Sequence, residues 1–172
     1  MPVAPKPSSE SVTEMVQVVL PNDANPHGFI LGGTVMHLID IAGAIAALRH
    51  ARTPMVTAAV DGLQFLHPIM VGDLIILKAR VTCTFTTSLE VEVEVYSEAT
   101  MTGERRLTSH AFLTFATFDR DGRHVPVPPL AIESEEDRRR NAAARARREE
   151  RLRRRHDARA PEQDAPPRRR EG

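Results

Sequence analysis

The stretch from Thr34 to His50 reads TVMHLIDIAGAIAALRH, and its pattern decides the fold. Val35, Met36, Leu38, Ile39, Ile41, Ala42, Ile45, Ala46 and Leu48 cover nearly every side of a helical wheel. A helix that is apolar all round is a buried one. Arg49, His50 and Arg52 at its end suit the negative pole of the helix macrodipole, and Pro54 prevents continuation. The spacing therefore predicts one long helix enclosed by other structure.

On the N-terminal side, Pro21–Gly33 (PNDANPHGFILGG) has the Pro, Gly, Asn and Asp content of a functional loop with special backbone angles. Before it, Ser11–Leu20 (SVTEMVQVVL) reads as a strand that Pro21 stops. After the helix the period changes to two. Met55–Leu66 and Asp73–Phe85 read as strands. Leu89–Tyr96 alternates strictly, with Glu90, Glu92 and Glu94 facing away from Val91, Val93 and Val95, so one face is expected to be buried and the other wet. Arg106–Asp119 is a further strand ending in the turn Asp119–Gly122. Short connections favour antiparallel pairing, and the helix must lie against the sheet to bury its surface. The class is α+β: a five-stranded antiparallel sheet curled around a central helix. One small sheet cannot bury so apolar a helix and leave no edge exposed, so a homodimer is expected.

The 172 residues suffice for one domain and an extension. Residues 1–10 are Pro- and Ser-rich and are expected to be disordered, the body spans 11–132, a charged helix spans 133–156, and 157–172 is expected to be disordered. The net charge of zero sums two unlike parts. Residues 133–172 hold 14 Arg and 10 acids, which leaves the body mildly acidic. In the charged helix, acids come first and arginines later, which matches the helix dipole. The expectation is a solvated helix with charge pairs rather than a nucleic-acid arm. With no Trp and one Tyr, the chain offers few stacking platforms for single-stranded nucleic acid. The single Cys83 excludes an intramolecular disulfide and a cysteine-based zinc site within one chain. The first ten residues lack the apolar run of a signal peptide, and no stretch approaches the roughly 18 apolar residues of a membrane span. A cytoplasmic location without membrane contact is the expectation.

Asp40 is the leading candidate for chemistry. It stands in the middle of the apolar helix, where an unpaired carboxylate is strongly unfavourable, so it needs either a hydrogen-bond network or a task. An interface role is the alternative. His37 lies one turn earlier and could pair with it. Gly32 and Gly33 supply unpaired N–H groups at the positive end of the helix, suited to a carboxylate, a phosphate or a developing oxyanion. Asn25 offers an amide that both donates and accepts, although Asx residues in such loops commonly make only turn bonds. Asp61 reads as a second buried acid, structural first. The seven histidines stand singly, without metal-ligand spacing, and the Gly-x-Ser-x-Gly pattern of serine esterases is absent, as is a Gly-rich phosphate loop.

Pro21–Gly28, Gly32–Gly33, Leu38–Asp40 with Ala42–Gly43, Val56–Asp61 and Phe65 together resemble the hotdog-fold acyl-CoA thioesterases. The resemblance is to the bacterial single-hotdog group related to the brain acyl-CoA hydrolase of mammals, over residues 12–132 and on into the charged helix. Leu31 stands where many members carry a histidine. The resemblance implies hydrolysis of fatty acyl-CoA to free acid and coenzyme A, with Asp40 as general base on water. It implies that Asn25 from the facing subunit orients water or thioester, that the N–H of Gly32, with Gly33, polarises the carbonyl, and that Ser88 lies near the coenzyme A path. It also implies dimers that assemble as trimers of dimers, and no cofactor, coenzyme A being part of the substrate. Two other readings stay open: a hotdog enoyl-CoA hydratase, because Asp23-Ala24-Asn25-Pro26-His27 comes close to that family's loop, and a non-catalytic acyl-CoA sensor.

Overall fold

The computed structural model describes residues 4–157. The main sheet has five antiparallel strands in the order β2-β4-β5-β6-β3. These are β2 (Thr13–Val18), β3 (Met55–Phe65), β4 (Leu74–Thr84), β5 (Ser88–Glu98) and β6 (Arg105–Thr117). A short strand β1 (Lys6–Pro7) pairs in parallel with β7 (Leu130–Ala131). Helix α1 (Gly32–Ala51) lies in the curl of the sheet, and α2 (Glu135–Asp157) lies on the opposite face. The sheet wrapped around one long helix is as expected, with strand limits close to those read from the alternation.

Val35, Leu38, Ile39, Ala42, Ala46 and Ala47 of α1 are buried against Leu77, Val91, Val93, Leu113 and Phe115 of the sheet. The helix settles closely because Gly43 has no side chain: a Cβ there would lie 3.2 Å from the Phe115 ring. The helix ends where Arg52 adopts a left-handed conformation (φ 53°) and its N–H donates to the Leu48 carbonyl. His50 is fully buried in the last turn, where its Nε2–H donates to the Pro128 carbonyl at 2.9 Å and Lys6 caps its own carbonyl. Burial holds its pKa below the usual 6.5.

Helix α1 is not enclosed on all sides by its own chain, in keeping with a helix too apolar for one small sheet to bury: Met36 and Leu48 are exposed, and Asp40 between them is half-buried. Three expectations are corrected. Residues 6–10, placed in a disordered N-terminus, form β1 and the start of a 3₁₀ turn (Ser8–Ser11), because Lys6 pairs with Leu130 and the Ser11 hydroxyl accepts the Val81 N–H. The outer face of β5 is not wet: Glu90 is 1 % exposed. The reason is the third correction, that α2 is not a solvated helix but packs across that face. The tail expected to be disordered begins inside α2 at Asp157, and 158–172 lie outside the described residues.

Helix α2 is capped by Ser134, whose hydroxyl accepts the Asp137 N–H at 3.0 Å. Arg147 grips both oxygens of Glu90, at 2.7 and 3.1 Å, and lies 3.4 Å over the Phe112 ring. Arg140 and His110 hold Glu92 from two sides, each at 3.0 Å, and Arg151 pairs with Asp61. Burial pushes the Glu92 carboxyl up, but the His110 hydrogen bond and the Arg140 charge more than offset this and leave it below the usual 4.5. Asp61, read as a buried acid, is thus a tie for α2.

Candidate active site

Asp40 is the only acid on α1 and points away from the sheet's interior. Its Oδ1 accepts a 2.6 Å hydrogen bond from the Thr57 hydroxyl, which projects from β3 at the edge of the sheet. The bond fixes the carboxylate, and among the described residues its second oxygen has no hydrogen-bond partner. His37 is exposed and makes no hydrogen bond to it. Sequence reading had not singled out Thr57. A hydroxyl on a strand of alternating residues carries no mark of the helix it will face.

Asn25 sits in the loop before α1. Its Oδ1 accepts the N–H groups of His27 (2.9 Å) and Phe29 (3.2 Å), which form an Asx turn, so the turn role weighed for it is present. Among the described residues its Nδ2 has no acceptor, so the amide remains able to donate. Gly32 and Gly33 are the first residues of α1, and their N–H groups are among those a helix leaves without internal partners. A Cβ on Gly32 would lie 3.5 Å from the Phe65 ring, whereas one on Gly33 would meet open space.

Asn25 and Gly32 line one cleft of about 320 Å³, walled by Phe29, Val35, Phe65 and Ile69. Asp40 and Thr57 do not line it. Asp40 stands two turns further along α1, roughly 12 Å along the axis from Gly32, and Thr57 stands beside it on β3. Ser88 lies elsewhere, at the start of β5, in a cleft on the outer face of the sheet. One chain therefore brings Asn25 to Gly32 and Thr57 to Asp40, and does not bring the two pairs together. Among the described residues no group of three or more His, Cys, Asp or Glu could hold a metal ion, and no helix is long and apolar enough to cross a membrane.

An antiparallel sheet curled around one long helix, with a carboxylate on the helix and open N–H groups at its start, is the hotdog architecture. The chain matches the model of the Thioesterase superfamily over residues 27–104. It is 43 % identical over 128 residues to an uncharacterized acyl-CoA thioester hydrolase of Bacillus subtilis, covering 74 % of each protein. It is 35 % identical over 136 residues to the cytosolic acyl coenzyme A thioester hydrolase of Homo sapiens, covering 78 % of this chain and 36 % of that longer one. A crystal structure of an apo-hexameric acyl-CoA thioesterase superposes with a TM-score of 0.84 at 40 % identity, covering 88 % of this chain and 97 % of that one. The acyl-CoA hydrolase of Staphylococcus aureus, in complex with butyryl coenzyme A, coenzyme A and coenzyme A disulfide, gives a TM-score of 0.82 at 34 % identity, covering 89 % and 93 %. Further structures of that enzyme carry alanine for an asparagine, for an aspartate 15 residues on, and for a threonine 17 beyond that. This chain belongs to the acyl-CoA thioester hydrolases of the Thioesterase superfamily.

Proposed function

We propose that Asp40 is the general base of thioester hydrolysis. The carrying observation is that the single acid of α1 is held by Thr57 on the uncovered side of the helix, with one oxygen that has no hydrogen-bond partner among the described residues. Asn25, Asp40 and Thr57 repeat the residue types and the 15- and 17-residue spacings of the positions substituted in the Staphylococcus aureus enzyme. Asp40 takes a proton from water as the water oxygen attacks the thioester carbonyl carbon. The carbonyl oxygen becomes negative against the Gly32 N–H, with Gly33 beside it. Collapse breaks the C–S bond, and coenzyme A leaves as a thiolate that regains the proton. A thiolate leaves readily, so one base and one oxyanion donor suffice, each contributing roughly 10²- to 10⁴-fold.

The Nδ2 of Asn25, donated from a facing subunit, orients the water or the thioester. A second copy is needed because one chain holds the two residue pairs apart. Val56 and Val60 on edge strand β3, with Met36 and Leu48 on α1, form the apolar surface on which that copy docks. Such dimers assemble into trimers of dimers, in line with the hexamers named among the similar structures. The substrates are fatty acyl-CoA, the cleft by Gly32 being apolar, and Ser88 contacts the coenzyme A part. No separate cofactor enters the scheme, and the protein works in the cytoplasm. A hydratase role is disfavoured because the Asp23 carboxylate is engaged with the Leu20 N–H.

Thiol release measured from acetyl- to palmitoyl-CoA tests this reading. Turnover should be found, and Asp40→Asn should lower it by at least about 10² with the fold intact. Full activity in that variant would overturn the assignment. Loss of crotonyl-CoA absorbance without thiol release would point to hydration instead.

A further inference from the structure

Strand β3 is one edge of the sheet, and among the described residues it pairs with β6 alone. Thr57 and Asp61 are four residues apart on it, and on a regular strand such residues share a face. Here they point to opposite faces. Thr57 stands across from Phe115, whose ring lies against α1, and its hydroxyl reaches Asp40. Asp61 stands across from Phe112, which lies under Arg147 of α2, and pairs with Arg151 one helical turn further on. The reversal comes from a bulge: between Thr57 and Ala59 β3 takes two steps while β6 takes one, from Phe115 to Thr114. A second irregularity follows between Asp61 and Gln64, where Gly62 adopts φ 63°. Between the two, only Ala59–Asp61 runs in plain register.

Such a strand has other registers within reach. With Ala58 moved opposite Phe115, Thr57 comes opposite Ala116, and its hydroxyl turns from α1 to the outer face. With Ala59–Asp61 moved one place along β6, Asp61 comes opposite the buried Ala111 and turns inward, while Gly62 takes up the extra residue. Each shift removes the bulge and the bend that goes with it, and so moves Thr57 relative to α1. The hydrogen bond to Asp40 opposes the first shift, and the Arg151 pair opposes the second by holding Asp61 outward. Asp61 is the only charged residue of β3. Arg151 is itself carried on an anchored helix, since Arg147 grips Glu90 on β5 and stacks on Phe112 of β6. We propose that Arg151 is a positioning residue for hydrolysis: by holding Asp61 it keeps the bulge in β3, and the bulge keeps the Thr57 hydroxyl on Asp40. The inference rests on the reading of Asp40 as the base.

The test is a set of variants assayed for thiol release from acyl-CoA. Arg151→Gln and Asp61→Asn should each lower kcat about tenfold with KM within about twofold. The pair acts as one unit, so the double variant should fall no further than either single one. In Thr57→Val no hydroxyl is left to position, and adding Arg151→Gln to it should change kcat by less than about twofold. Arg153→Gln removes a charge from the same helix and should leave both constants unchanged. Unchanged kcat in Arg151→Gln and Asp61→Asn, full activity in Thr57→Val, or a tenfold loss when Arg151→Gln is added to Thr57→Val overturns the inference, the last because Arg151 would then act by another route. If the wild type releases no thiol from any acyl-CoA, it is the thioesterase reading that fails. Amide hydrogen exchange at Ala58, Ala59 and Val60 then still decides the clamp: faster exchange in Arg151→Gln but not in Arg153→Gln supports it, and equal exchange in all three proteins overturns it.

Discussion

Each face of the five-stranded sheet is covered by a helix, and the two helices do it with opposite chemistry. Helix α1 buries alanine, valine, leucine and isoleucine against apolar strand residues and has one acid. Helix α2 has little apolar surface and docks by arginines that reach Glu90, Glu92 and Asp61, around a single fully buried Ala144. Apolar packing is non-directional and adds with area. An ion pair at a covered face is directional, and it stabilises only while both partners are present, because a lone buried charge is far costlier than a satisfied pair. The inner contact should therefore respond to volume and the outer one to the loss of a partner or of a charge.

The largest stability effect is expected at Arg147. Arg147→Ala leaves Glu90 buried with only the Thr82 hydroxyl, and chemical denaturation should show a loss of about 3 kcal/mol. Replacing both partners, with Glu90→Leu and Arg147→Met, should restore most of that loss. If the double variant is as unstable as the single one, the outer face depends on more than satisfied charge. On the inner face, Gly43→Val would drive a branched side chain into the Phe115 ring, and a loss of about 2 kcal/mol is expected by the same measurement.

A smaller difference should appear with pH. The folded pKa of His50 is depressed, so acid protonates the unfolded chain first, and thermal stability should begin to fall below about pH 6.5. The Glu92 carboxyl is also held low. Its contribution is present above about pH 4.5 and is lost as pH falls further. Melting curves across this range should lose the first decline in His50→Gln and the second in Glu92→Gln. The smallest effect belongs to the exposed Glu150–Arg153 pair, where Arg153→Ala should leave the denaturation midpoint unchanged. A lower midpoint there would mean that α2 is held by its exposed charges as well as its covered ones.

Much of this contrast was readable before any fold was known, and the illegible part has a physical cause. The strands of the sheet fall within about two residues of their expected limits, because alternation with period two is a local property. Helix α1 begins at Gly32, two residues before its expected start, since two glycines read as loop. The Glu90–Glu92–Glu94 row misled because a glutamate alternating with valine looks the same whether it meets water or an arginine. Its partners, Arg140 and Arg147, lie about fifty residues further along the chain. Asp40 stood out as a charge among apolar neighbours, whereas Thr57 did not, because a threonine is at home on any strand.

The sequence by itself determined the five strands of the main sheet and the two long helices, the inward valine face of β5 and the apolar character of α1. Each of these follows from side chains a few positions apart, whose relative directions the backbone period sets. Only the tertiary structure decided that α2 closes the outer face, that Thr57 holds Asp40, and that the arginines of α2 stand beside the edge strand. These depend on groups far apart in the chain that meet only once the sheet has curled. Whether a charge is then exposed, paired or open to a substrate is settled by which distant partner removes its water.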